Sequence, residues 1–170
     1  ERVFVVGAHY DTVVGTPGAN DNGSGVAATL ALARHFAGRP LAATVRFVGF
    51  VNEEPPYFWT ARQGSLVYAR ELQRHHEQVI GMWTPETIGY YRDEPGTQTY
   101  PGPKLANPMR LCYPGTGNFV TFVGNVGSRR LVRASVGSFR RRVHFPSQGM
   151  AAPGCVPGIG WSDHWSFWQA

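Results

Sequence analysis

Short apolar runs alternate along this chain with longer segments of helical periodicity, and stretches rich in Gly, Pro, Asn and Asp separate them. Residues 3–6 form a continuous apolar run, the mark of a strand covered on both faces. Residues 26–36 predict a helix with Leu30, Leu32, Ala33 and Phe36 among its apolar positions, Ser24 as its cap, and Gly38 and Pro40 as its stop. Residues 44–51 predict a second strand, 64 to about 73 a helix with Leu66, Val67 and Ala69 apolar, 79–84 a third strand and 119–123 a fourth. A helix over 128–139 carries Leu131, Val132, Val136 and Phe139 on one side, and a short last one over 163–169 follows Ser162 as cap. Residues 7–25, 91–108 and 146–160 read as loops. Strands alternating with helices predict an α/β fold, a mostly parallel mixed sheet sandwiched between helices. In such sheets ligands sit beyond the carboxyl ends of the strands.

The length, 170 residues, suits one domain spanning 1–170. Residue 1 is not Met, the first strand is already running there, and the aromatic-rich last segment ends without a closing signal. The domain is therefore expected to be incomplete at both ends. Aromatic residues make up 13% of the chain, which argues for a packed core despite 21 Gly and 13 Pro. Cys112 and Cys155 can pair at most once, so neither a disulfide scaffold nor a four-cysteine zinc site is possible. No apolar run approaches the roughly 18 residues of a membrane span. The formal net charge is +5, and nearly all the cations are arginine. Arg129, Arg130, Arg133, Arg140, Arg141 and Arg142 gather around one helix and read as a solvated face. Nucleic-acid binding would also need groove-entering or stacking elements, and no nucleic-acid partner is expected. His75 and His76 suit the carboxyl end of a helix in the same unremarkable way.

The chemistry lies at the strand ends. After the first strand come His9 and Asp11, then Asp21 in a Gly- and Asn-rich turn; after the second come Glu53 and Glu54; after the third, Glu86. Any one of these is unremarkable, because Asx residues favour turns and a lone His is usually a hydrogen-bonded surface group. Three successive strands that each end in such a residue are harder to explain that way. Five carboxylates at one sheet edge would repel one another unless a dication neutralised them. One His with several carboxylates suits zinc, with manganese or cobalt less favoured. The Gly-rich turn at residues 18–25 lacks a phosphate-loop ending and places Asp21 where a phosphate would want no negative charge.

Six stretches in order, GAHYDTV (residues 7–13), GANDNGSGVA (18–27), FVNEEPP (50–56), ETIGYY (86–91), YPGTGNFVTFVGN (113–125) and SDHWSFW (162–168), resemble the zinc aminopeptidases among the co-catalytic di-zinc exopeptidases. Glutaminyl cyclases and the inactive transferrin receptor share that fold. The resemblance implies that His9, Asp21 and Glu86 hold a first metal, with Asp21 bridging to a second held by Glu54. It implies that Asp11 orients the His9 ring, that Glu53 is the general base, and that the Asp21–Asn22 peptide is cis. It implies two Zn²⁺ in the intact site and a peptide substrate with a free amino terminus, and it favours an extracytoplasmic location. The family's remaining His ligand falls after the SDHWSFW signature, beyond residue 170, and nothing in the spacing assigns His144 or His164 in its place. One zinc or none, and weak or no activity, is therefore expected of residues 1–170 alone. Pro85 precedes Glu86 where the family has an apolar strand end, which could shift Glu86. Tyr57, Phe58, Trp59, Trp161 and Trp165 suggest a hydrophobic first substrate residue, with core packing as the alternative for each. The competing functions are a non-catalytic binding module on the same fold and a glutaminyl cyclase-like acyltransferase.

Overall fold

The computed structural model describes residues 1–101 and 109–170; the loop expected over 91–108 falls partly outside them. The elements in chain order are β1 (Arg2–His9), α1 (Gly23–Phe36), β2 (Thr44–Phe50), α2 (Gly64–Arg74), β3 (Gln78–Trp83), α3 (Met109–Cys112), β4 (Val120–Asn125), α4 (Arg129–Arg142), β5 (Ser147–Ala152), a 3₁₀ turn (Asp163–Trp165) and α5 (Ser166–Gln169). They group into two compact units, Glu1–Gly89 with Ser162–Ala170, and Tyr90–Trp161.

In the first unit the sheet order is β2-β1-β3 and both pairings are parallel. His9 lies in register with Phe50, and Val6 with Trp83, so the three carboxyl ends open on one edge. From β1 the chain crosses to β2 on one side, then returns past β1 to β3 on the other. Right-handed crossovers therefore put α1 and α2 on opposite faces. The α2 face holds the core of Val3, Val5, Phe50 and Leu72, with Tyr68, Val79, Met82 and Phe167 against it. On the α1 face Phe36 stacks on Phe47 and Phe4 lies against Trp83. Burial along β1 alternates over its first half, so the 3–6 run is fully covered on one face and partly on the other. Gly7 is required at this edge: a Cβ there would collide with the Phe50 ring.

Two expected caps work differently. The cap of α1 is Asn22, whose side-chain oxygen accepts the Gly25 N–H at 3.0 Å. Ser24 instead donates to the Asn20 carbonyl and accepts the Ile88 N–H, which ties α1 to the segment after β3. Ser162 makes no side-chain cap bond, and the helix expected over 163–169 is a 3₁₀ turn followed by α5.

In the second unit β4 and β5 pair in parallel, Val120 with Ser147 through Asn125 with Ala152. β5 falls within residues expected as loop. Its sequence, SQGMAA, has no β-branched or aromatic residue to announce a strand. Tertiary contacts supply what propensity does not: Val136 of α4 sits over Gly149, and Arg140 grips the Ser147 hydroxyl at 3.1 Å. Phe122 and Phe139 pack edge to face under α4. Cys112 and Cys155 are exposed free thiols. No helix among the described residues is long and apolar enough to cross a membrane.

Candidate metal centre

His9 is the last residue of β1 and only 1% exposed. Its Nδ1 lies 3.1 Å from the backbone carbonyl of Asp11, which can only accept, so Nδ1 carries the proton and Nε2 faces the carboxylates. Asp21 Oδ1 stands 3.3 Å from Nε2, Glu86 Oε2 3.3 Å and Glu53 Oε2 3.7 Å. The Asp11 carboxylate, expected to orient the ring, lies 3.7 Å from Nδ1; its other oxygen accepts the Glu54 N–H at 3.0 Å. Asp11 thus holds the ring through its main chain and the second strand end through its side chain.

Each strand end delivers its residues by a local device. After β2, Asn52 takes a left-handed conformation (φ 61°), which Asn tolerates better than most residues, and turns the chain so that Glu53 enters the interior while Glu54 stays partly exposed. After β3, Pro85 lies beyond the ladder, so its missing N–H breaks no sheet bond. Its carbonyl accepts from Asn22 Nδ2 at 3.0 Å, and a Cβ at Gly25 would strike that carbonyl. Glu86 remains at the site. Its Oε2 accepts from Asn22 Nδ2 at 3.1 Å and from the Ser162 hydroxyl at 2.7 Å, while Oε1 lies 3.4 Å from His9 Nε2. The Asp21–Asn22 peptide is cis.

Ligand-type atoms converge in two groups that share His9: His9 with Asp21 and Glu86, and His9 with Glu53 and Glu54. Within each group they lie within 4.8 Å of one another. His144 and His164 belong to neither; His144 is exposed and His164 packs against Trp168. Burial alone would lower the His9 imidazole, but the hydrogen bond and charge of Glu86 with the charges of Glu53 and Asp163 carry it up to about 10. Burial, reinforced by the charges of Asp163, Glu86 and Glu54, pushes Glu53 up to about 8. Burial raises Asp21, as does the charge of Glu86; burial raises Glu54, as does that of Asp21. Among the described residues no Lys or Arg pairs with any of these acids.

Sequence reasoning assigned no site role to Ser162, Asp163 or Asn22's side chain. Asp163 is fully buried, neither oxygen meets a hydrogen-bond donor in good geometry, and burial pushes it up to about 6. The SDH and NDNG stretches were the available signals, but spacing could not show that two of these side chains converge on one oxygen of Glu86.

The arrangement suits a dication. The donors are one imidazole nitrogen and several carboxylate oxygens, no Lys or Arg among the described residues pairs with them, and the buried Asp11 Oδ1 has no hydrogen-bond partner.

The sequence matches Peptidase family M28 over residues 1–109, and the chain belongs to that family. It is 37% identical over 98% of its length to the uncharacterized protein YfbL of Escherichia coli, covering 52% of that protein. It is 38% identical over 42% of its length to aminopeptidase YwaD of Bacillus subtilis, covering 16% of it. Over 52% of its length it is 37% identical to a probable zinc metalloprotease of Pyricularia oryzae, covering 18% of it. The chain thus spans about half, or less, of the length of these curated relatives. No solved structure matches it.

Proposed function

We propose that this chain forms the core of a zinc aminopeptidase that removes the amino-terminal residue of a peptide. The observation that carries the reading is the placement of Asp21, Glu86 and Glu53 oxygens within 3.7 Å of one imidazole nitrogen, with no Lys or Arg among the described residues paired to them. His9, Asp21 and Glu86 would hold one metal; Glu54, beside Asp21, would serve a second. A bound zinc ion supplies positive charge that polarises a carbonyl and acidifies water.

The remaining work falls to the chain's own groups. Asn22 and Ser162 both donate to Oε2 of Glu86 and so anchor a carboxylate whose two oxygens lie 3.3 and 3.4 Å from His9 Nε2. Glu53, buried and displaced from the weakly acidic range of a solvated carboxyl, takes the proton of the attacking water and returns it to the departing amine. Asp21, exposed, and Glu54, partly exposed, attract the substrate's α-ammonium, which favours an amino-terminal residue over an internal one.

Aminoacyl-anilide hydrolysis by the full-length protein, measured with and without chelator, tests this reading. Zinc-dependent release of the first residue is expected. Turnover that chelation leaves intact, or cleavage of an amino-terminally blocked peptide with none of an aminoacyl-anilide, would overturn it. Turnover of a Gln-anilide alone, with cyclisation, would point to the cyclase alternative.

A further inference from the structure

The segment from 55 to 63, between β2 and α2, contains a feature the metal centre does not explain. Trp59 has φ 57°, a left-handed conformation that a bulky residue rarely adopts, and the residue is 51% exposed. Phe58 stacks on it at 4.8 Å, and Trp165 lies 6.2 Å away at 42°. Both arms of this cluster are tied within one turn to site residues. The Tyr57 N–H donates to the Glu54 carbonyl at 3.0 Å, and the Trp165 N–H donates to the Ser162 carbonyl at 3.1 Å.

Gln63 holds the strained residue in place. It is fully buried, and its Oε1 accepts the Trp59 N–H at 2.9 Å. Its Nε2 donates to the Ser65 hydroxyl, which shares a hydrogen bond with Ser166 at the start of α5. A buried polar chain therefore runs from the Trp59 main chain to the helix that follows Ser162 and Asp163. Strain of this kind persists where the surroundings over-determine it.

We propose that Trp59, backed by Phe58 and Trp165, is a platform on which an aromatic amino-terminal side chain of the substrate stacks, and that Gln63 is the positioning residue that sets it. The inference rests on the aminopeptidase reading and adds to it a preference for aromatic over aliphatic or small first residues. An aromatic pair of this kind contributes up to about tenfold in selectivity.

The test compares kcat/KM of the full-length zinc-loaded protein for Phe-, Leu- and Ala-anilides. Trp59→Asn accepts the left-handed backbone but removes the ring, and it is expected to lower the Phe:Ala ratio about tenfold at unchanged metal content. Trp59→Phe should keep most of the ratio. Gln63→Met keeps side-chain volume but removes the acceptor; it should lower the same ratio, and the double variant should be no less selective than Trp59→Asn alone. An unchanged ratio, or equal losses on all three substrates, would overturn the platform while leaving the peptidase reading intact. If no aminoacyl-anilide is turned over, quenching of tryptophan fluorescence by phenylalaninamide decides. Binding weakened by Trp59→Asn supports the platform without the peptidase reading, and binding unaffected by it overturns the platform.

Discussion

Both units contain the same building block, two parallel strands joined by a fourteen-residue helix: β1-α1-β2 in one, β4-α4-β5 in the other. They use it oppositely. In the first, nine acidic residues outnumber seven arginines, and the strand ends converge on His9. In the second, Asp93 and Glu94 are the only acids against nine Lys and Arg, and its strand ends present no cluster of metal-ligating side chains among the described residues. The helices differ to match. The α1 cap, Asn22, closes its helix and also reaches Glu86, whereas α4 begins with Arg129 and Arg130 against its own dipole and without a side-chain cap bond. Topology alone therefore makes no site; the residues placed at the strand ends do.

The largest effect expected on this contrast is at Glu53. Glu53→Gln should lower turnover by about 10²–10⁴ while metal analysis shows the ion retained. Retention of full rate would remove Glu53 from its role. Next, Ser162→Ala should weaken metal binding about 10–100-fold by freeing Glu86, as chelator competition would show. Unchanged affinity would mean that Asn22 alone holds that carboxylate.

A pH series separates the units further. The folded metal-free protein holds protons on Glu53 and His9 more tightly than the unfolded chain does, because both values are raised. Their contribution to stability is full in acid. It is lost as pH rises through about 8 for Glu53 and about 10 for His9. Zinc displaces those protons, so the rise in Tm on adding zinc should be larger at pH 8 than at pH 5.5. A pH-independent rise would contradict this. The smallest effect belongs to the second unit. Arg129→Glu with Arg130→Glu should leave kcat/KM unchanged and stabilise the protein by about 0.3–1 kcal/mol through the α4 dipole, read by denaturant titration.

Much of the first unit was legible because its signals are local. The apolar runs of β1 and β2, the Gly38 and Pro40 stop after α1, and the acids after each strand all follow from spacing and side-chain type. Other features were not local. β5 is a strand because Val136 and Arg140 of α4 hold SQGMAA beside β4. Ser24 and Ser162 both read as caps, yet their hydroxyls serve residues more than sixty positions away, Ile88 and Glu86. The His9 ring is oriented by a main-chain carbonyl, a group whose direction no side-chain pattern encodes.

Residue type and order settled the α/β class and which side chains could carry metal chemistry, since hydrophobic periodicity and ligand identity are properties of the chain itself. Which oxygen of Glu86 is anchored, why Asn52 must turn left-handed before Glu53, and how Gln63 holds Trp59 were decided by folding alone. The first depends on Asn22 and Ser162, which reach Glu86 from more than sixty positions away in the chain, and the other two on turn directions that residue type leaves open.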